Sequence, residues 1–335
     1  MNFNYHFSNL LGTVYKNGDL IFSPDGNTLF SPVGNKISAF DLKSHTSGTL
    51  NIEGRFDYTT LALSPNGVLL LAANEDGEVH LISLVSKTIL KRLRINRPIL
   101  ALSFSPDGKQ FALAKENLVL IYRTPGASNK DYNAFGLDRV LKGALDDISS
   151  LNWSSCSRIL AVGSKDNTTR LYPLREKYSN FKSYCLGGHS DPIVATFFEK
   201  DSLICYTISR NGHLVLWEPS LNLDELIPLE LETQTTHKSK KKNSKENEGE
   251  QDDDVDPNNL EDEPNEANVE TDSANADTTK ASKLFYSRKS KTFLRDALPG
   301  DKDAKTKKTA VDVTAVDYHT GLHLLVTGIN TYTIK

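Results

Sequence analysis

The chain has 335 residues, 24% of them charged, and 39 Lys and Arg against 43 Asp and Glu leave a formal net charge of −4. That length supports a sizeable buried core, and so small a net charge excludes a protein that coats nucleic acid through bulk positive charge. The three cysteines, Cys156, Cys185 and Cys205, are odd in number and fit neither a disulfide framework nor a zinc site, which points to a reducing compartment.

The N-terminal stretch MNFNYHFSNLLGTVY lacks the basic and apolar regions of a secretory signal. No apolar run approaches the roughly 18 residues of a membrane span. A soluble intracellular protein is therefore expected, with no membrane partner and the sequons at Asn152 and Asn167 unused. From the first turn onward the chain is periodic. FSPDG at 22–26 returns at 104–108 and, as LSPNG, at 63–67, so Gly26, Gly67 and Gly108 lie 41 residues apart. In these turns Pro presets φ and Gly supplies the positive φ that closes the loop. A second turn then opens PVGNKISAF (32–40), NEDGEVHLI (74–82), AKENLVLIY (114–122), SKDNTTRLY (164–172) and SRNGHLVLW (209–217). Their closing residues Phe40, Ile82, Tyr122, Tyr172 and Trp217 are 42, 40, 50 and 45 apart, two of the intervals carrying loop insertions. Flanks such as ILALSF, QFALA and LVLIY are rich in β-branched residues, aromatics and Leu, and too short for helices. Each unit predicts a small antiparallel sheet that must stack on its neighbours to bury both faces. Four strands per repeat of about 40–45 residues define a β-propeller blade.

Gly188-His189, SDPIVATFF, SRNGH and LVLWEP in succession resemble the WD40 repeat. In that family a His, a Ser, a turn Asp and a Trp form a hydrogen-bonded tetrad that stiffens the blade. The resemblance assigns blade-locking roles to His189, Ser209, Asn211 and Trp217, with Asn in place of Asp. The fourth blade keeps Ser164 and Asp166 but has Ala144 for His and Tyr172 for Trp, and the third has Ala114, Glu116 and Tyr122. The expected architecture is all-β: blades one to five over residues 1–219, a charged insertion over 220–309, and an incomplete sixth blade over 310–335. The expectation is of a seven-bladed ring cut short, with INTYTIK not continuing the sixth blade.

The insertion is polarised. KSKKKNSK (238–245) holds five lysines, residues 246–277 hold fourteen acidic and no basic residues, and residues 280–308 hold ten basic against three acidic. Such blocks predict disorder. A solvated, tolerated loop is one reading of it. The other is a tether: KLFYSRKSKTFLR (283–295) interleaves aromatics with Arg288, Lys289, Lys291 and Arg295, a composition suited to stacking on bases and pairing with phosphates. KKK with its flanking lysines resembles a nuclear-localisation patch. A second basic stretch, KTILKRLRINR (87–97), places Arg92 and Arg94 on one face of a strand. There charge either protects a sheet edge or meets RNA or an acidic partner.

No phosphate loop, dinucleotide fingerprint, zinc-protease helix or nucleophile elbow is present. No catalytic residue, cofactor, metal or small-molecule substrate is expected, and Cys156 in SSCS has no predicted base beside it. FSNLLGTVY (7–15), GDLIFSPDGN (18–27), SPVGNKISAFDLK (31–43), SRNGHLVLWE (209–218) and TAVDYHTGLHLLVTG (314–328) together resemble the opening part of the periodic tryptophan protein 2 family. That resemblance implies a WD40 subunit of the UTP-B subcomplex of the small-subunit processome, nuclear and nucleolar. It further implies a non-catalytic scaffold for pre-rRNA or small nucleolar RNA and for sister WD40 proteins during 18S rRNA maturation. The alternative from the repeats alone is a cytoplasmic WD40 adaptor in a vesicle coat or ubiquitin-ligase assembly.

Overall fold

The computed structural model describes residues 19–125, 136–174, 181, 183–226, 283–294, 309–319 and 324–333. Among them the regular structure is strand throughout, apart from one short 3-10 turn at Leu223–Glu225. The first sheet is β1 (Ile21–Phe22), β2 (Thr28–Val33), β3 (Lys36–Asp41) and β4 (Thr46–Thr49). The second is β5 (Tyr58–Leu63), β6 (Leu69–Asn74), β7 (Glu78–Ser83) and β8 (Thr88–Arg94). The third is β9 (Ile99–Phe104), β10 (Gln110–Lys115), β11 (Leu118–Arg123) and β12 (Leu137–Leu141). The fourth is β13 (Ile148–Trp153), β14 (Ile159–Ser164), β15 (Thr169–Pro173) and β16 (Tyr184–Leu186). The fifth is β17 (Ile193–Phe198), β18 (Cys205–Ser209), β19 (His213–Pro219) and β20 (Tyr286–Phe293), and a hairpin of β21 (Thr309–His319) and β22 (Leu324–Thr333) follows. Each four-stranded sheet is an antiparallel meander whose strands lie in chain order.

The repeated turn closes the first hairpin of each of the first three blades in one way. The N–H groups of Gly26, Gly67 and Gly108 donate to the carbonyls of Ser23, Ser64 and Ser105 at 2.8–2.9 Å, with glycine φ near +69°. The same serines accept, through Oγ, the N–H groups of Thr28, Leu69 and Gln110 at 2.9–3.0 Å. Blade four repeats the device without Pro or Gly: Ser157, at φ +57°, donates to the Ser154 carbonyl, and Ser154 Oγ accepts from Ile159. Cys156 thus lies in a turn, as its sequence context suggests.

Period-two alternation divides each strand between two neighbours. In β6, Leu70 and Ala72 join a cluster with Phe30 and Ile37 of blade one, whereas Leu71 and Ala73 join one with Phe104 and Phe111 of blade three. A third cluster lies between blades three and four, with Ile121 against Trp153 and Leu160. A fourth, between blades four and five, sets Leu171 against Val215 and Trp217. The β21–β22 hairpin docks on the far face of blade five, where Val313 joins Phe197 and Ile208. Tyr318 stacks on Phe197 at 5.0 Å, and Arg210 holds Asp312 through two bonds of 2.6 and 3.0 Å. Residues of the inner strands β5, β9, β13, β17 and β21 line one cavity of about 610 Å³, so the sheets fan around a shared centre.

Two expectations are corrected. Blade five does not end at Pro219: its outermost strand is β20, paired with β19 from His213–Phe293 to Pro219–Tyr286, inside the span 220–309 expected to be a disordered insertion. Average composition hid the strand. Leu284 and Tyr286 are buried anchors, the Tyr286 hydroxyl donates to the Leu203 carbonyl at 3.1 Å, and Ser220 exchanges bonds with Phe285. An outermost strand needs backbone pairing on one edge only and tolerates charge on its side chains. The rest of the charged insertion lies outside the described residues. Secondly, β22 extends to Thr333, so most of INTYTIK does pair, through Asn330–Asp312, Thr331–Val311 and Tyr332–Ala310.

Candidate functional site

Blade five holds a polar network against its core. Trp217 Nε1 donates to Thr207 Oγ1 at 2.9 Å, and His189 Nε2 meets the same oxygen at 2.7 Å. The bridging hydroxyl is therefore Thr207, not Ser209. Ser209 lies two residues further along β18 and donates instead to Asn211 Oδ1 at 2.7 Å. The cause is register: Thr207 pairs with Val215, one step from Trp217, and its side chain shares the face on which Trp217 lies. Asn211 bonds the two residues after His189 instead, its amide donating to Ser190 Oγ at 3.3 Å and to Asp191 Oδ2. Burial, reinforced by Lys291, pushes the His189 imidazole down to about 4, so it is neutral at pH 7.

In blade four Ser164 and Asp166 come together without a His or Trp. Ser164 Oγ donates to the Asp146 and Asp147 carbonyls at 3.1 and 3.2 Å. Burial by itself would raise the Asp166 carboxyl. The N–H of Leu145, the Thr168 hydroxyl and N–H, and Arg170 Nη1 at 2.8 Å outweigh it and hold the group at about 2. Tyr172, at the Trp position, donates to the Lys142 carbonyl at 2.9 Å, so a phenol tethers the strand where the repeat pattern has an indole.

The cationic candidates occupy outermost strands. Arg92 and Arg94 share a face of β8, opposite His80 and Glu78 of β7. Beneath them is a chain of groups that sequence reasoning did not single out. The Tyr58 hydroxyl meets His80 Nδ1 at 2.6 Å, His80 Nε2 lies 3.5 Å from Glu78, and Glu78 lies 3.5 Å from Arg94. Burial raises the Tyr58 phenol to about 12 and lowers His80. Only the alternation of His80 between apolar residues in EVHLIS could have flagged it. Arg288, Lys289 and Lys291 lie exposed on β20. Lys289 is paired with Glu218, whereas Arg288 and Lys291 have no ion-pair partner among the described residues. Arg295 lies outside the described residues. The central cavity is lined by Ser150, Thr196, Asn152 and Asp317 beside Leu102 and Val316. Among the described residues no group of three or more His, Cys, Asp or Glu is placed to hold a metal.

Stacked four-stranded meanders around one cavity make this a WD40-type β-propeller protein, and the WD domain, G-beta repeat family model matches residues 136–172. A chain in the crystal structure of the mitotic checkpoint complex superposes with a TM-score of 0.51 at 15% identity, covering 60% of this chain and 62% of that one. That likeness concerns the fold alone. Periodic tryptophan protein 2 homolog of Mus musculus is 35% identical over 98% of this chain and 33% of its own length. The Schizosaccharomyces pombe homolog is 37% identical over 70% of this chain and 28% of its own length, and Saccharomyces cerevisiae periodic tryptophan protein 2 is 37% identical over 65% and 24%. The chain belongs to the periodic tryptophan protein 2 family and spans about a third or less of the length of these relatives.

Proposed function

We propose that the chain acts as a non-catalytic scaffold in ribosome biogenesis, docking sister WD40 proteins of the UTP-B subcomplex and pre-rRNA in the nucleolus as part of the small-subunit processome. The family membership supplies the setting. The observation that carries the RNA part is the placement of Arg92, Arg94, Arg288 and Lys291 as exposed cations on the outer strands of two blades. Outer strands face away from the propeller axis and leave those charges accessible to a polyanion. Blade locking by His189, Thr207 and Trp217 would keep such strands in fixed relation, which is what a scaffold requires. Affinity purification of the tagged protein tests the reading. Co-purification of pre-rRNA with WD40 partners is expected, and recovery of coat or ubiquitin-ligase subunits instead would replace it with the adaptor alternative. Ultraviolet crosslinking of a variant neutralised at Arg92, Arg94, Arg288 and Lys291 should recover markedly less pre-rRNA. Phosphate contacts release counterions, so the remaining binding should depend less steeply on salt.

A further inference from the structure

The seam between blades one and two lacks the filling that the next three seams have. Toward its following neighbour each blade turns one cross-strand row of side chains that ends on its outermost strand. In blade two the row ends in Leu71, Leu81 and Lys91. In blade three it ends in Ala112, Ile121 and Arg139, and in blade four in Ala161, Leu171 and Tyr184. Blade one has Phe30, Ala39 and Gly48 at those places. A methyl group and a hydrogen thus stand where the other rows have a branched aliphatic and a long side chain. The consequence is a notch of about 360 Å³, floored by Ala39 and Gly48 and walled by Phe30, Leu50 and, from blade two, Leu84 and Lys87. Gly48 does not have a positive φ, and a Cβ added there would meet no atom within 4 Å. Neither turn geometry nor crowding accounts for glycine at this place.

The notch borders an unprotected sheet edge. β4 is the outermost strand of blade one. Outer strands commonly carry charge that discourages pairing with other chains, and β8, β12 and β20 all carry Lys or Arg. β4, Thr46–Thr49, carries no charge. The Leu50 N–H donates inward to the Ile37 carbonyl at 2.9 Å, so by alternation the N–H groups of Ser47 and Thr49 point outward.

We propose that the notch and the β4 edge together hold an extended peptide segment of a partner protein, with one large apolar side chain seated against Ala39 and Gly48 and an acidic residue beside Lys87. The edge selects the class of partner, because main-chain N–H and C=O groups at strand spacing pair with another peptide backbone and not with a nucleic-acid backbone. A residue opposite Gly48 on the added strand shares its face and points into the notch. Asp41, at the same notch, already accepts the N–H groups of Lys43 and Ser44 at 2.8 and 3.2 Å. Lys87 has no ion-pair partner among the described residues, so the charge left to meet is positive. The inference does not depend on RNA binding.

The test pans a phage-displayed random peptide library on the full 335-residue chain and measures the selected peptides by fluorescence anisotropy. They should share one aromatic or large aliphatic residue with an acidic neighbour, and replacing the large residue by alanine should weaken binding about tenfold or more. Gly48→Tyr, copying blade four, and Gly48→Lys, copying blade two, should also weaken binding at least about tenfold by filling the notch. Their melting temperatures should equal or exceed that of wild type, since the new side chain enters open space. Lys87→Gln should weaken binding about threefold, a difference that fades at high salt. Bound peptide should slow amide exchange at Ser47 and Thr49, which a ligand filling the notch alone would leave unchanged. Selection of no peptide, or of peptides that bind both Gly48 variants as tightly as wild type, overturns the proposal. A dimer that Gly48→Tyr disrupts, with no peptide selected, assigns the notch to a second copy of the chain and overturns it as well.

Discussion

One hydroxyl joins the indole of Trp217 to the imidazole of His189 inside blade five, and its removal strands both. Thr207→Val keeps the shape and removes the oxygen, leaving two buried nitrogens unsatisfied. It should cost about 2–4 kcal/mol in urea unfolding, whereas Ser209→Ala should cost about 0.5–1.5 kcal/mol. His189 also sets a pH dependence. Its folded-state pKa, about 4, lies below the ordinary value of 6.5. Between those values the unfolded chain therefore binds a proton that the folded chain refuses. Stability is full above about pH 6.5 and falls as pH drops toward 4. A melting-temperature series from pH 7.5 to 4.5 should show this, and His189→Gln should flatten it. His80, lowered by burial against the opposing pull of Glu78, acts in the same direction. Asp166 contributes later: held at about 2, it loses its stabilising effect only as pH falls from about 3.8 toward 2.

At the scale of single elements the informative strand is β20. Its start and its middle differ: Tyr286 anchors it under blade five, while Arg288 to Thr292 are exposed. Tyr286→Ala should open a cavity costing about 3–5 kcal/mol, and amide exchange in β19 should speed up first because its outer edge loses its partner. The turn between β6 and β7 depends on a different constraint. Gly77 has φ +81°, and a Cβ there would lie 2.1 Å from the Arg97 carbonyl oxygen. Gly77→Ala therefore meets both a disfavoured backbone region and a clash with main chain. It should lower stability by more than about 1 kcal/mol, read as a drop in the thermal midpoint.

Across the whole molecule blades two to five are stable because both of their faces are covered by neighbouring sheets. The β21–β22 hairpin shows how little suffices. Val313, the Tyr318 ring and the Arg210–Asp312 pair fasten it to blade five. The exposed ion pair contributes at most about 1 kcal/mol, so the aromatic stack dominates. Tyr318→Ala should loosen the hairpin and raise its protease sensitivity well before the melting of blades two to four. Asp312→Asn should do so only weakly.

Alternation of apolar residues and evenly spaced turns are local properties, and they sufficed to predict a propeller, its first four blades and the inner strands of the fifth. Gly26, Gly67 and Gly108 mark blades because a positive φ is a demand of the chain itself. What the chain could not announce depends on which strands lie side by side. Thr207 rather than Ser209 bridges His189 and Trp217 because the β18–β19 register puts it there. The charged run at 286–293 becomes a strand because β19 offers it an unpaired edge more than sixty residues upstream. The contact of Arg288 with the Gly188 loop likewise exists only in the folded blade, for the two come from segments a hundred residues apart and meet solely through packing.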